Sequence, residues 1–286
     1  MRLDVLIVNY HSEIEAVNCL RSVLATSLAT YDPFFYIGDN GSSKDWADLD
    51  LPERTHIFRN SANLGLGKAV NELVRQTSAP YFIVVNPDSL FLDGPWPDLL
   101  CFLEENPTVG LLGPQVRNDD GSLQGSARAF PSLSTVLFGR KSPLTRRFPN
   151  NPFSRRNIVN GGEWGLGPRE VDWVSGACMI VRRAAFEAVG GFDEGFFLFW
   201  EDADLCARMK ARGWRIVYHP GSTIVHSVGA SRRHDRLRTH GHFHRSAFRF
   251  FCKHHPKAAG VLAPGVALIL AAHFAASLFW DRSRGH

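Results

Sequence analysis

The sequence is short of four things, and each shortage narrows what the chain can be. Its five cysteines, Cys19, Cys101, Cys178, Cys206 and Cys252, are odd in number, widely spaced and mostly set in apolar surroundings. That argues against a disulfide framework and a thiolate zinc site, and it points to a reducing compartment. The opening MRLDVLIVNY lacks a signal peptide's basic region, long apolar run and small-residue cleavage site, and Asp4 interrupts its apolar stretch. It reads as a first β-strand. No internal repeat is found. Acids are nearly missing from 232–257, which holds eight Arg or Lys, six His and a single carboxylate, Asp235.

What is present describes a folded α/β body with an unlike tail. At 286 residues, 44% hydrophobic and 21% charged, the chain can bury one large core or two modest ones, and it is not the composition of a disordered protein. The net charge of +4 is unevenly placed: 232–257 carries a formal +7 and the remainder −3. Beyond it, residues 258–280 hold no formally charged side chain apart from the titratable His273. That length approaches a bilayer's thickness, but Pro264 and Gly265 interrupt it and leave Pro264 to Trp280 as the helical candidate.

The first half alternates strand and helix signals. LDVLIVNY is a strand, and EIEAVNCLRSVLAT places Ala16, Leu20 and Leu24 at helical spacing. PFFYIGDNGSS is a second strand ending in turn residues, and THIFRN a short third. GLGKAVNELVRQTS sets Ala69, Val70, Leu73 and Val74 on one helical face, and YFIVVNPDS is a continuous apolar run that stops at Asn86-Pro87-Asp88. Such a run suits a central parallel strand covered on both faces, so the expectation is a doubly wound sheet whose ligands sit at the strands' carboxyl ends. Residues 119–170, rich in Pro, Ser, Asn and Arg, break the rhythm and read as a mobile loop region. Order resumes with VDWVSGACMIVRR, expected as one strand, and a short helix AAFEAVGG.

Several residues can carry chemistry. Asp39, directly after the strand FFYIG, can accept the N3–H of a uracil or thymine, or it can simply close an Asx-turn. NSANLGLGKAVN looks superficially like a dinucleotide fingerprint, with Asp88 about 20 residues on. Against that, Val70 takes the third glycine position, a long turn follows the strand, and Asp88 lies past an Asn-Pro break. The glycines can instead let backbone approach a nucleoside, with Lys68 near phosphate, or merely open a helix. Asp88 leaves a fully apolar strand at the ligand edge, where it can hold Mg²⁺ or Mn²⁺ against a diphosphate, since octahedral Mg²⁺ needs few protein ligands. His226, in TIVHSVGAS, can add a ligand or a phosphate contact, or be structural.

GGFDEGFFLFWEDADLCARMKARGW, residues 190–214, sets Glu201 and Asp202 after the aromatics Phe196, Phe197, Phe199 and Trp200, at the start of a helix that Gly213 stops. Acids there can cap backbone N–H groups and face the dipole's positive end. They can equally supply a base beside a partly apolar wall of rings, which raises a carboxylate's pKa.

With these pieces in order the chain resembles family 2 inverting glycosyltransferases of GT-A fold, especially bacterial rhamnosyltransferase-like members. The matching runs are VLIVNYHS, DNGSS, NLGLGKAVN, VVNPDS, WVSGACMIVRR, GGFDEGFFLFWEDADLCARMKARG and HSVGAS, over about residues 3–231. The resemblance implies a Rossmann-like, doubly wound mixed sheet. It implies that Asp39 reads the pyrimidine, that Asp88, with His226, holds Mg²⁺ or Mn²⁺, and that Asp202 is the catalytic base with Glu201 beside it. Donor contacts are expected from Asn9, Tyr10, Asn63, Gly65, Lys68, Asn86, Trp173, Ser175 and Gly176. Asn86 departs from the family by standing at the first position of its aspartate-x-aspartate motif. The implied organisation is a catalytic domain over 1–231 and a helical tail over 232–286. Within the former lie a nucleotide half (1–118), an acceptor-side loop region (119–170) whose arginines near 140–156 face the leaving group, and an acceptor half (171–231).

The implied activity is transfer of a sugar, L-rhamnose from dTDP-L-rhamnose or another dTDP- or UDP-sugar, to a lipid-linked or polysaccharide cell-envelope acceptor. A non-catalytic nucleotide-binding scaffold and a dinucleotide-dependent oxidoreductase are the competing readings. No nucleic-acid module accompanies the basic tail, and the alternating His240, His242 and His244 form no closed ligand set. The tail is expected to lie against the cytoplasmic leaflet of the membrane, with a solvated basic face, a buried helix or a homodimer contact as alternatives.

Overall fold

The computed structural model describes residues 2–130, 147–148, 167–227 and 236–283, with the side chains of 236 and 276–283 excepted. Most of the 119–170 loop region, including the 140–156 arginines apart from Arg147, and the end of HSVGAS lie outside the described residues.

The apolar runs form the middle of one sheet, nine-stranded among the described residues. Strand β1 (Leu3–Asn9) is paired in parallel with β2 (Phe34–Asp39) on one side and β4 (Tyr81–Val85) on the other. β3 (Thr55–Arg59) continues the sheet beyond β2. Alternate residues of β1 and β4 enter opposite cores, as period-two side chains must. Leu3, Val5, Ile7, Ile83 and Val85 join α1 (Glu13–Leu24) and α3 (Trp96–Glu105), whereas Leu6, Phe82 and Val84 join α2 (Leu66–Arg75). Cover on both faces is why YFIVV is apolar at every position.

On the far side the sheet is mixed. From β4 the order runs through β10 (Cys178–Arg182), β6 (Val109–Arg117), β11 (Arg215–His226) and β5 (Ser89–Phe91). β10 is antiparallel to both β4 and β6, and β5 is antiparallel to β11. The stretch VDWVSGACMIVRR is not one strand. It splits into β9 (Trp173–Val174), which pairs with β7 (Ala127–Arg128), and β10, with a turn at 175–177 between them. β8 (Arg169–Glu170) adds to β11. The helices α4 (Arg183–Ala188) and α5 (Glu201–Ala211) cover the α2 face through Phe186, Leu205 and Met209.

Two helices complete the described chain, α6 (Arg236–His254) and α7 (Pro256–Ser283). The latter begins at Pro256, where a proline's fixed φ and missing N–H suit a helix start, and it runs through Pro264 rather than beginning there. Among the described residues α7 alone is long and apolar enough to cross a membrane. Pro256–Ala275 has mean hydropathy 1.9 and none of its most apolar window is buried. Val261 is 80% and Leu268 72% exposed.

Candidate active site

Because β1, β2 and β4 are parallel, their carboxyl ends share one edge, and the antiparallel β10 starts at that edge. Asn9 and Asp39 are register partners at the ends of β1 and β2. Asp39 is buried. Its Oδ2 accepts the Trp46 indole N–H (2.9 Å) and its Oδ1 the Gly41 N–H (3.1 Å) and Asn9 Nδ2 (3.5 Å). Burial alone would raise this carboxyl's pKa; the bonds from Ser42, Trp46, Gly41 and Asn9 outweigh it and hold the group below the usual range. The Asx-turn expected as the structural alternative is therefore formed, around an ionised carboxylate at the ligand edge. Tyr10, 37% exposed, lies over Gly41, where a Cβ would be 3.5 Å from its ring.

The glycine-rich stretch makes a close approach within the chain. Gly65 has φ +79°, and a Cβ there would sit 2.4 Å from the Phe197 carbonyl oxygen. The close approach is to the chain's own 190s segment. Asn63 Oδ1 accepts the Gly65 N–H (3.0 Å) and Asn40 Nδ2 (3.2 Å), and the Phe197 carbonyl accepts the Leu66 N–H (3.2 Å). Lys68 faces Glu194 at 3.7 Å, in that same segment.

Asp88 and His226 come together, brought there by the antiparallel pairing of β5 with β11. Ser89 and His226 are register partners, and His226 Nε2 lies 3.3 Å from Asp88 Oδ1. Asn86 Nδ2 is 3.2 Å from the same nitrogen. On the other side of the ring Nδ1 is 2.8 Å from Gln124 Oε1. The Gln124 amide nitrogen donates to Asn118 Oδ1 (2.9 Å) and to the His226 carbonyl (3.4 Å), so its oxygen must face the ring and Nδ1 must carry the proton. In the neutral ring Nε2 is then an acceptor, which faces the Asn86 amide N–H (3.2 Å) beside a carboxylate oxygen. Two acceptors at 3.3 Å, with the imidazole oriented from behind, are a donor set that fits a divalent cation. Among the described residues no third His, Cys, Asp or Glu completes the group.

Asp202 lies in the first turn of α5. Its Oδ2 accepts the Gly176 N–H at 2.9 Å and its Oδ1 the Ala203 N–H at 2.8 Å. The turn that supplies Gly176 also reaches the Asp88 group: the Ala177 carbonyl accepts the Asn86 N–H (3.1 Å) and the Ser89 hydroxyl (3.3 Å). Ser175 secures it, donating its N–H to the Ser126 carbonyl (2.7 Å) and accepting the Ala177 N–H at Oγ (3.3 Å). Trp173 precedes the turn, its indole N–H on the Ala129 carbonyl (3.1 Å) and the Arg128 guanidinium 5.1 Å from its ring centre.

Burial raises the Asp202 carboxyl, although the Gly176 and Ala203 N–H groups and the Arg128 charge oppose the rise. Glu201 beside it is buried, its Oε2 has no hydrogen-bond partner, and burial followed by the Asp202 charge pushes its pKa well up. Between two adjacent carboxyls only one readily ionises, and the bonded Asp202 is that one.

The aromatic run is not the wall of rings around the base that the sequence suggests. Phe197 stacks on His242 (4.6 Å), Phe199 and Trp200 meet Phe243 (5.7 and 5.8 Å), and Trp200 meets Phe250 (5.2 Å), so these rings seat α6. Sequence reasoning also passes over Gln124, Arg128 and Trp46. Gln124 and Arg128 sit in a stretch without periodicity, and nothing local to Trp46 marks it as a partner of Asp39.

A mixed α/β sheet covered on both faces, with acids at the carboxyl ends of its parallel strands, defines a GT-A-like fold. A profile of the glycosyltransferase like family 2 matches residues 2–249, and the chain belongs to that family; it is a glycosyltransferase. It is 34% identical over 252 residues to the N-acetylglucosaminyl-diphospho-decaprenol L-rhamnosyltransferase of Mycobacterium tuberculosis, covering 82% of this chain and 80% of that one. Among solved structures it resembles GalNAc-T7 with UDP, GalNAc and Mn²⁺ (TM-score 0.60, 17% identity, 79% of this chain and 43% of that one). It also resembles the mannosyltransferase PcManGT of Pyrobaculum calidifontis with GDP-Man and Mn²⁺ (TM-score 0.56, 15% identity, 96% and 74%). Family membership closes the oxidoreductase reading.

Proposed function

We propose that the chain is an inverting transferase that takes a sugar from a dTDP- or UDP-linked donor, L-rhamnose first among the candidates, to a hydroxyl of a lipid-linked or polysaccharide cell-envelope acceptor. The observation that carries this is the 175–177 turn. It bonds Asp202 through the Gly176 N–H and the Asp88–His226 pair's neighbour Asn86 through the Ala177 carbonyl, which gives a base and a diphosphate site one shared wall. The rhamnose donor and the acceptor class are supported by what the mycobacterial relative is named for.

In this reading Asp39, with Asn9 and Asn40 beside it, faces the pyrimidine edge, and Tyr10 lies against the ring. Asp88 and His226 would hold Mg²⁺ or Mn²⁺, which supplies positive charge against the diphosphate. Asp202 accepts the proton of the acceptor hydroxyl as that oxygen attacks the anomeric carbon from the face opposite the diphosphate, and the centre inverts. The two backbone N–H groups on Asp202 favour its ionised form and oppose the rise that desolvation causes, which suits a base. Glu201, held neutral, adds no second charge beside it.

The tail fits a peripheral seat on the cytoplasmic leaflet, with the exposed apolar face of α7 against lipid. A lipid-linked acceptor would then be presented beside the site.

The test is a thermal-shift panel of dTDP, UDP, GDP and NAD with and without Mn²⁺, followed by transfer from dTDP-rhamnose to a membrane acceptor fraction. Asp202→Asn is expected to lower turnover by about 10²–10⁴-fold while nucleotide affinity holds. Equal loss of both would leave Asp202 as a helix cap only.

A further inference from the structure

The turn carrying the base is strained and is held by a helix from outside the 1–231 segment. Phe199 and Trp200 both adopt the left-handed region, with φ of +66° and +68°, and they are the two residues directly before Glu201. Neither is a glycine, so the conformation persists only because the surroundings fix it. Trp200 caps α5 without a side-chain hydrogen bond, so the cap itself does not supply the restraint.

The restraint comes from α6. Before Asp202, the Ser246 hydroxyl donates to the Leu198 carbonyl (2.9 Å), Phe243 packs edge-on to Phe199, and Phe250, almost fully buried, packs against Trp200. After it, Asp204 is completely buried and accepts Lys253 Nζ (2.7 Å) and His254 Nε2 (2.8 Å) at Oδ1 and Arg208 Nε (2.7 Å) at Oδ2. Lys253 reaches Asp193 as well (2.6 Å), as does Arg249 (3.0 Å). Burial would raise the Asp204 carboxyl, but the bonds from His254, Lys253 and Arg208 hold it below its ordinary value. Ser246, Arg249, Phe250, Lys253 and His254 recur at helical spacing, so one face of α6 makes these contacts. They fall mainly on residues 193–204, with Phe130, Trp173 and Ala207 also packed against the cluster that Phe250 joins.

We infer that α6 is a working part of the active site: it clamps residues 198–204 on both sides of Asp202, and Phe243, Lys253 and His254 are positioning residues for the base. The inference rests on the reading of Asp202 as base. It also accounts for the tail's charge. Its bases at 249, 253 and 254 are engaged with Asp193 and Asp204 of the body, and so part of the basic stretch serves the active site rather than a membrane or a phosphate.

A helix that merely stabilised the body would affect folding, donor binding and turnover together, whereas a clamp on the base affects turnover first. The experiment compares full-length Phe243→Ala, Lys253→Met and Lys253→Arg with wild type in three measurements: steady-state transfer, binding of dTDP with Mn²⁺, and amide hydrogen exchange over 198–205. Phe243→Ala and Lys253→Met are expected to lower kcat by about 10- to 100-fold, because small misplacement of a reacting group costs that much. Donor KM and dTDP affinity should move by less than about threefold, and exchange over 198–205 should quicken. Lys253→Arg, which keeps the charge, should retain most of kcat. Unchanged exchange in both disabling variants overturns the inference, as does a fall of kcat in step with dTDP affinity. Should wild type transfer no sugar from any dTDP- or UDP-donor, the proposed function fails, and the exchange measurement alone still decides whether α6 holds this turn.

Discussion

The amide of Gly176 donates to Oδ2 of Asp202 at 2.9 Å, across the break between β9 and β10. Had Trp173–Arg182 run as one strand, that amide would be spent in the sheet. The turn instead frees it to bond a half-buried carboxylate. The donor is main chain, so it is present whatever side chain stands at 176.

One consequence is a pH profile. Burial raises the Asp202 carboxyl, so kcat/KM should fall on the acid side at a pH above the ordinary range of an aspartate. Arg128 opposes the rise. Arg128→Gln should therefore move that limb to still higher pH. A limb that stays in place in pH–rate measurements on the variant counts against the pairing.

Glu201 makes a second, thermodynamic prediction. Burial pushes its carboxyl well above the ordinary range of a glutamate, so the folded protein keeps this proton to a higher pH than the unfolded chain does. Unfolding releases a proton in that window, and stability must decline as pH rises through it. Glu201→Gln removes the ionisable group and should flatten the decline. Urea denaturation at several pH values above 4.5 reads the slope directly, and equal slopes for variant and wild type would contradict the burial argument.

The proposed cation site would depend on a residue that does not touch the cation. Gln124 fixes the His226 ring through Nδ1 (2.8 Å). Gln124→Ala should weaken Mn²⁺ by about 10- to 100-fold, as loss of such outer partners does, and His226→Ala by more. Mn²⁺ titrations in the presence of dTDP check both, and an unaltered affinity in the two variants would remove His226 from the site.

Gly65 offers a test of packing. A Cβ there would lie 2.4 Å from the Phe197 oxygen, at a φ of +79°. Gly65→Ala should destabilise the fold by about 1–3 kcal/mol or more and loosen the 190s segment. Denaturation curves for the variant measure it.

The outward face of α7 is expected to meet lipid. Val261→Asp with Leu268→Asp in the full chain places two charges on residues 80% and 72% exposed, so folding should be unaffected. Cosedimentation with vesicles of mixed zwitterionic and anionic phospholipid should drop sharply. Retained partition would assign the helix to a contact between chains.

Much of the fold is legible locally. Alternation of apolar strands with amphipathic helices gives β1, α1, β2, β3, α2 and β4 near their observed bounds, and Gly213, at φ +85°, follows the end of α5 as a stop should. Carboxylates at 39 and 88 are visible because each ends an apolar run, and those at 201 and 202 because they open a helix. Residues 89–118 hold β5, α3 and β6, which the alternation argument does not reach, since β5 is only three residues long. The uninterrupted course of α7 through Pro264 also defies the local rule. A missing N–H costs one hydrogen bond and some strain, which the remaining turns and the packing on α6 offset.

What the sequence determined by itself was the set of chemical groups and the edge of the sheet at which most of them emerge, because strand direction and side-chain period are local properties of the chain. The tertiary structure alone decided which groups meet. The antiparallel insertion of β10 brings Gly176 to Asp202, the β5–β11 pairing brings His226 to Asp88, and α6 rather than a sugar takes the rings before Glu201. Contacts between segments far apart in the chain are fixed by what the whole core can pack and which buried polar groups find partners, and no window of neighbouring residues carries that information.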